Sequence, residues 1–144
     1  MNVKENSVKI ALIAHDRKKE LMVQFCIAYC GIFARHDVCA TATTGNLVAE
    51  ATGLDIQRYL SCKQGGGQQI GAKITYNEID MVIFFSDPTG GETIDDVIAI
   101  NRLCDQYNIP FASNVATAEV LIRGLQNGYL DWRNIVNPNN RKNK

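Results

Sequence analysis

Two turns, one rich in threonine and one in glycine, gather side chains that can do chemistry. Thr41, Thr43 and Thr44 lead into Gly45. Hydroxyls donate to an anion, glycine lets backbone approach it, and a helix starting there adds its positive end. Thr44 taken alone equally suits a helix N-cap. Lys19 offers a point charge for a phosphate, or is a solvated helix lysine. Ser61-Cys62-Lys-Gln-Gly-Gly66-Gly67 offers a hydroxyl, a thiol and a glycine run that wraps a ligand or simply turns. Cys62 is a nucleophile if a positive pocket lowers its pKa, and otherwise a small residue tolerated in a turn. His15, Asp16, Asp87 and Asp96 are candidates for moving protons or contacting a ligand. Each also has a purely structural reading. His15 ends an apolar run, Asp16 caps a helix, Asp87 precedes Pro88 in a turn, and Asp96 closes the capping box Thr93-Ile-Asp-Asp96.

The elements that position these residues alternate between strand and helix. Val8–Ala14, Val38–Ala42, Ile56–Leu60, Asp80–Phe85 and Ile109–Ser113 read as five strands. Between them lie a helix from Asp16 with Leu21, Phe25, Ala28 and Ile32 on its apolar face, a short helix ending near Gly53, and one from Gln68 to Tyr76. Two more follow: one from Thr93, with Val97, Ile100, Cys104 and Tyr107 inward, and one over Thr117–Gly124. This order predicts a single α/β domain, a five-stranded parallel sheet with helices on both faces. Residues 1–7 read as a flexible N-terminus, 8–133 as the domain and 134–144 as a polar basic tail. Ligands of such sheets bind beyond the carboxyl ends of the strands. His15-Asp16, Thr41–Asn46, Ser61–Gln69, Ser86–Pro88 and Ser113-Asn114 all follow strands, so five turns are expected to converge on one site.

Fifteen basic and fifteen acidic residues cancel in the 144-residue chain. No net field advertises a nucleic acid polymer or an anionic membrane as partner. No apolar run reaches the ~20 residues that span a bilayer, and residues 1–7 lack a signal peptide's apolar region. A cytoplasmic protein is expected. The five cysteines are odd in number and make no metal-ligand spacing with either histidine, so reduced thiols and no metal are expected.

Taken in order, these turns resemble the methylglyoxal synthase family over about 8–132. The carrying segments are Ile10-Ala-Leu-Ile-Ala-His-Asp16, Ala42-Thr-Thr-Gly-Asn-Leu47, Glu50-Ala-Thr-Gly53, Gln68-Gln-Ile-Gly-Ala72, Ile83-Phe-Phe-Ser-Asp-Pro88 and Ile109-Pro-Phe-Ala-Ser-Asn-Val-Ala-Thr-Ala118. The resemblance implies conversion of dihydroxyacetone phosphate to methylglyoxal and phosphate, without metal or organic cofactor, in a homo-oligomer, a hexamer being favoured. It places Lys19, Thr41, Thr43, Thr44 and Ser61 on phosphate-binding positions, with His15, Asp16, Asp87 and Asp96 around the substrate. Arg141 falls near a further phosphate-binding arginine.

Three departures stand out against that family. Its turn reads Gly-Gly-Asp-Gln-Gln, with the aspartate as proton-abstracting base, where this chain has Gly65-Gly-Gly67-Gln-Gln69. The loop after Pro88 lacks the family's histidine, and Cys62 replaces a turn glycine. Asp87 and Glu92 are the nearby carboxylates that a relocated base would use. The sequence therefore favours a protein that binds, senses or sequesters a small phosphorylated ligand, a nucleotide among the candidates, with catalysis lost or much reduced. The alternative is an active methylglyoxal synthase with a relocated base.

Overall fold

The computed structural model describes residues 7–89, 94–131 and 133. Five parallel strands, β1 (Lys9–Ala14), β2 (Asp37–Ala40), β3 (Ile56–Arg58), β4 (Met81–Phe85) and β5 (Phe111–Ala112), form one sheet in the order β3-β2-β1-β4-β5. The helices are α1 (Lys19–Ala28), α2 (Cys30–Phe33), α3 (Ala42–Thr52), α4 (Gly66–Thr75), α5 (Ile94–Gln106) and α6 (Val115–Gln126). The single parallel α/β domain expected from the sequence is the fold observed. Strand β4, and β1 after Lys9, are continuously apolar because both of their faces are covered. On one face Ile10, Leu12, Ile83 and Phe85 meet Met22, Phe25, Phe33, Val48 and Ile122 from α1, α2, α3 and α6. On the other, Ala11, Ile13, Val82 and Phe84 meet Ile70, Ile74, Ile100 and Cys104 from α4 and α5.

Several boundaries differ from the sequence reading. The buried face of α1 is Met22, Phe25 and Cys26, while Leu21 and Ala28 are exposed. A break at Tyr29 (φ −112°, ψ 24°) separates α1 from α2 and resets the helical phase, so Phe33 turns inward more fully than Ile32. Thr41 leaves β2 to become the N-cap residue of α3, which places Thr44 inside the first turn rather than at the cap. Asp16 opens a 3₁₀ turn over Asp16–Lys18 with His15 in the N-cap position, and no side chain caps it. Thr93, the first member of the expected capping box, lies outside the described residues, as do Glu92 and Arg141.

At the amino ends of the strands a buried ion pair holds the C-terminal part of the domain to the sheet. Arg133 Nε donates to Asp80 Oδ1 at 3.0 Å, and the Lys9 N–H donates to Asp80 Oδ2 at 2.9 Å. The same guanidinium donates through Nη1 to the Asn108 carbonyl and through Nη2 to Asn77 Oδ1. Asn77 and Asn108 follow α4 and α5 in left-handed conformations, φ 60° and 56°, which asparagine tolerates better than most residues.

The five cysteines are free thiols. Burial pushes Cys26 and Cys104 up to about 12 and Cys39 up to about 11. No helix among the described residues is long and apolar enough to cross a membrane.

Candidate functional site

The strand order reverses between β1 and β4, and the carboxyl ends of these two strands frame the crevice where such sheets bind ligands. His15 sits at that point. Its N–H donates to the Phe85 carbonyl at 3.1 Å, tying the two strand ends together. Its Nδ1 accepts from the Asp87 N–H at 2.8 Å, and its ring stands edge-on to Phe84. An acceptor at Nδ1 means that the neutral ring carries its proton on Nε2.

Lys19 begins α1 and folds back over the end of β1. Its Nζ donates to the Ala14 carbonyl at 2.8 Å and to Asp16 Oδ1 at 2.9 Å. An ammonium has three donors, so one more remains for a ligand. The hydrogen bond from Lys19, then its charge, holds the Asp16 carboxyl below its ordinary range.

The threonine turn is tied to the sheet by the Thr41 N–H, which donates to the Leu12 carbonyl. Thr44 is buried, and its Oγ1 has no hydrogen-bond partner among the described residues. A buried hydroxyl without a partner is costly, so this one calls for an explanation. The N–H groups of Thr43 and Thr44 lie in the first turn of α3, where no intrahelical carbonyl can accept from them. Gly45 has a different job from the expected close approach to an anion. Its N–H donates to the Thr41 carbonyl at 2.7 Å, and a Cβ there would come within 3.0 Å of Arg58 Cγ.

The glycine turn begins at Ser61, whose carbonyl accepts from the N–H groups of Gln64 and Gly66. Gly65 takes φ 101°, and a Cβ on Gly66 would lie 1.9 Å from the Leu60 carbonyl oxygen. Both glycines are required by the backbone path. Gln69 Oε1 accepts from the Leu60 N–H at 2.7 Å and pins the turn to α4. Burial raises the Cys62 thiol, outweighing a hydrogen bond with Thr41 and the charge of Lys19. Desolvation of the anion thus works against the activated thiolate considered from the sequence.

These turns enclose a cleft of about 230 Å³ lined by His15, Asp16, Lys19, Thr41, Thr43, Ser61, Cys62 and Lys63. Lys63 was not singled out from the sequence. A lysine two residues past Ser61 in a turn following a strand was the available signal. The five turns do not converge on one site as expected. Ser86, Ser113 and Asn114 line a separate depression with Lys18, Leu21 and Pro88. The fourth turn meets the cleft through the Asp87 N–H on His15. The Asp87 carboxylate turns away: its Oδ1 accepts from the Thr89 N–H and hydroxyl at 3.0 and 2.7 Å. Those bonds, with a smaller contribution from the charge of Arg17, hold it below its ordinary range. Gly67 and Asp96 lie together in a groove between α4 and α5 that also includes Gly71, Ala99 and Leu103.

A switch-point cleft with two lysines, three hydroxyls and an open helix N-terminus marks a doubly wound α/β domain whose cleft offers the donors a small anion requires. Comparison with known proteins narrows this. A family model described as the MGS-like domain matches residues 22–113. A methylglyoxal synthase from Caldicellulosiruptor saccharolyticus is 58% identical over 138 residues, covering 95% of this chain and 98% of the relative. One from Lysinibacillus sphaericus is 56% identical over 127 residues, covering 88% and 95%. The crystal structure of methylglyoxal synthase from Elizabethkingia anophelis superposes with a TM-score of 0.77 at 40% identity, covering 81% of this chain and 78% of that one. The chain belongs to the methylglyoxal synthase-like family.

Proposed function

We propose that this protein is a methylglyoxal synthase, a lyase that converts dihydroxyacetone phosphate into methylglyoxal and inorganic phosphate. The observation that carries the reading is the buried Thr44 hydroxyl, without a hydrogen-bond partner among the described residues, in the first turn of α3 directly after Thr43, which lines the cleft. A phosphate held at that turn would satisfy it. The names of the relatives, similar over nearly the whole chain, supply the reaction. Lys19, Thr41, Thr43, Thr44 and Ser61 take the phosphate, and His15 Nε2 donates to a substrate oxygen as the enediolate forms. Removing a proton from the hydroxymethyl carbon leaves its electrons in the new C=C bond. The oxygen on that carbon then gives up its proton and forms the aldehyde carbonyl, the C=C electrons shift to the phosphate-bearing carbon and expel phosphate, and the enol released tautomerises to methylglyoxal.

A second reading, binding of a small phosphorylated ligand without turnover, rests on Gly67, which brings no carboxylate to the position of the family's base. A nucleotide ligand belongs to that reading. Methylglyoxal and phosphate release, measured together on wild type and Lys19→Met, test the two. Stoichiometric release by wild type, reduced at least about tenfold in Lys19→Met, is the expected result. Phosphate binding without methylglyoxal would overturn the lyase in favour of the second reading. A hexameric assembly belongs to the same proposal, and sedimentation showing a 16.0 kDa monomer would contradict it.

A further inference from the structure

The donors that line the cleft are unequally committed. Lys19 spends two of its three N–H groups on the Ala14 carbonyl and Asp16 Oδ1, and its charge is paired with that carboxylate at 2.9 Å. The Ser61 hydroxyl has a single O–H, which it donates to Gln64 Oε1 at 3.2 Å. Lys63 is different. It is exposed, it lines the cleft, and its ammonium makes no hydrogen bond or ion pair among the described residues. All three of its donors are open to a ligand. Its backbone is nonetheless held, because Cys62–Gln64 form a 3₁₀ turn closed on both sides. The Ser61 carbonyl accepts from the N–H groups of Gln64 and Gly66 at 3.0 and 2.8 Å, and the Cys62 carbonyl accepts from the Gly65 N–H at 3.3 Å. Two lysines thus reach one cleft from separate strand ends, Lys19 after β1 and Lys63 after β3. Asp16, held below its ordinary range first by its hydrogen bond from Lys19, also feels the charge of Lys63.

Among the residues that line the cleft, Lys19 and Asp16 cancel, and with His15 neutral the charge of Lys63 is the remainder. We infer that Lys63 is the charge-selecting residue of this cleft, its uncommitted ammonium making the site prefer a doubly charged oxyanion such as a phosphate monoester. The inference deepens the lyase reading and rests on the phosphate site of that reading. Coulomb energy is proportional to the charge on the ligand, so the factor that Lys63 contributes for a dianion is roughly the square of its factor for a monoanion. The phosphoryl group keeps its charge until it leaves, so the lysine holds substrate and transition state about equally. Its contribution therefore falls on KM rather than on kcat.

The test compares full-length wild type, Lys63→Gln, Lys63→Arg and Lys73→Gln. Lys73 pairs with Glu78 outside the cleft lining, so its variant removes the same charge from elsewhere. Affinities for inorganic phosphate, sulfate and nitrate are measured by calorimetry, and turnover of dihydroxyacetone phosphate by methylglyoxal formation. Lys63→Gln should weaken phosphate and sulfate by about three- to tenfold, and nitrate by about the square root of that factor. Lys63→Arg keeps the charge and should stay within about threefold of wild type. Lys73→Gln should leave all three affinities within about twofold, because solvent and salt screen a distant exposed charge. In turnover, Lys63→Gln should raise KM by the factor seen for phosphate while kcat stays within about twofold. Phosphate affinity in Lys63→Gln within about twofold of wild type would overturn this inference alone. Equal losses for sulfate and nitrate would overturn it too, marking Lys63 as a residue that only shapes the turn. Wild type that binds no phosphate would overturn the inference and the phosphate site of the lyase reading together. Wild type that makes no methylglyoxal, yet shows the sulfate–nitrate contrast, would sink the lyase reading and support the inference.

Discussion

Thr44 joins stability to binding in a single hydroxyl. Its Oγ1 is buried without a partner among the described residues, whereas valine has the same shape and no polar atom. Thr44→Val should raise the unfolding free energy by about 1 kcal/mol in urea titrations, because an uncompensated polar group is removed. The same change should weaken inorganic phosphate binding by about tenfold in calorimetry. A variant that is destabilised, with unchanged phosphate affinity, would show that the hydroxyl is no part of an anion site. Asp87 makes a pH prediction. Its carboxyl is held below the ordinary 3.8 by Thr89, so the folded state binds that proton less readily than the unfolded chain does. The stability it contributes is complete above the ordinary value and is lost as pH falls through the lower folded-state value. Unfolding midpoints of Asp87→Ala should therefore fall less than those of wild type below about pH 4. Parallel acid profiles would contradict this. The pairing of Asp87 with Thr89 rather than with the cleft was not legible in the sequence, because Asp87-Pro88-Thr89 is compatible with a turn and with a site alike.

At the scale of the element, the glycine turn separates two neighbours that look identical in sequence. Gly66 stands where a Cβ would meet the Leu60 carbonyl at 1.9 Å, and that contact is backbone, which cannot move aside. Gly66→Ala should destabilise the protein by more than about 4 kcal/mol or prevent folding, as backbone conflicts in a core turn do. Gly67 has ordinary contact distances and lies in the first turn of α4. Gly67→Ala should stabilise by about 0.5–1 kcal/mol, since alanine loses less backbone entropy in a helix. Thermal melts of the two variants side by side check both statements, and equal effects would refute them. Helix α1 shows the limit of periodicity. Its residues Leu21, Phe25 and Ala28 make a plausible apolar stripe, yet Met22, Phe25 and Cys26 are the ones buried. The break at Tyr29 ends the helix before the pattern can continue, and Leu21 lies over the depression near Pro88 instead.

Across the whole molecule, the Asp80–Arg133 pair links the end of the domain to the central strands. Arg133 is 1% exposed and donates to three residues in two segments, Asn77 and Asp80 between α4 and β4 and Asn108 after α5. Arg133→Met should cost about 3–5 kcal/mol, because it leaves the Asp80 carboxylate buried without its cation. Adding Asp80→Asn should restore part of that loss by removing the stranded charge. Urea titrations of the two singles and the double variant would measure the coupling. Additive losses would show that the pair is not interdependent.

The sequence by itself determined the strands and most helices of this fold, the family, and the threonine and lysine side of the cleft. Those features are local: an apolar run long enough for a buried strand, or hydroxyls gathered where a strand gives way to a helix. Only the tertiary structure decided which turns share a cavity. Strand order is a long-range property, and the β1–β4 junction brings His15 to the N–H of Asp87, 72 residues away. The same order sends Ser86 and Ser113 to a different depression from Thr41 and Ser61. It also gives the glycines unlike tasks: Gly45 makes room for Arg58, Gly66 for the Leu60 carbonyl, and Gly67 leaves space beside Asp96. What a missing side chain makes room for depends on which atoms the fold packs around it, and those atoms come from distant parts of the chain.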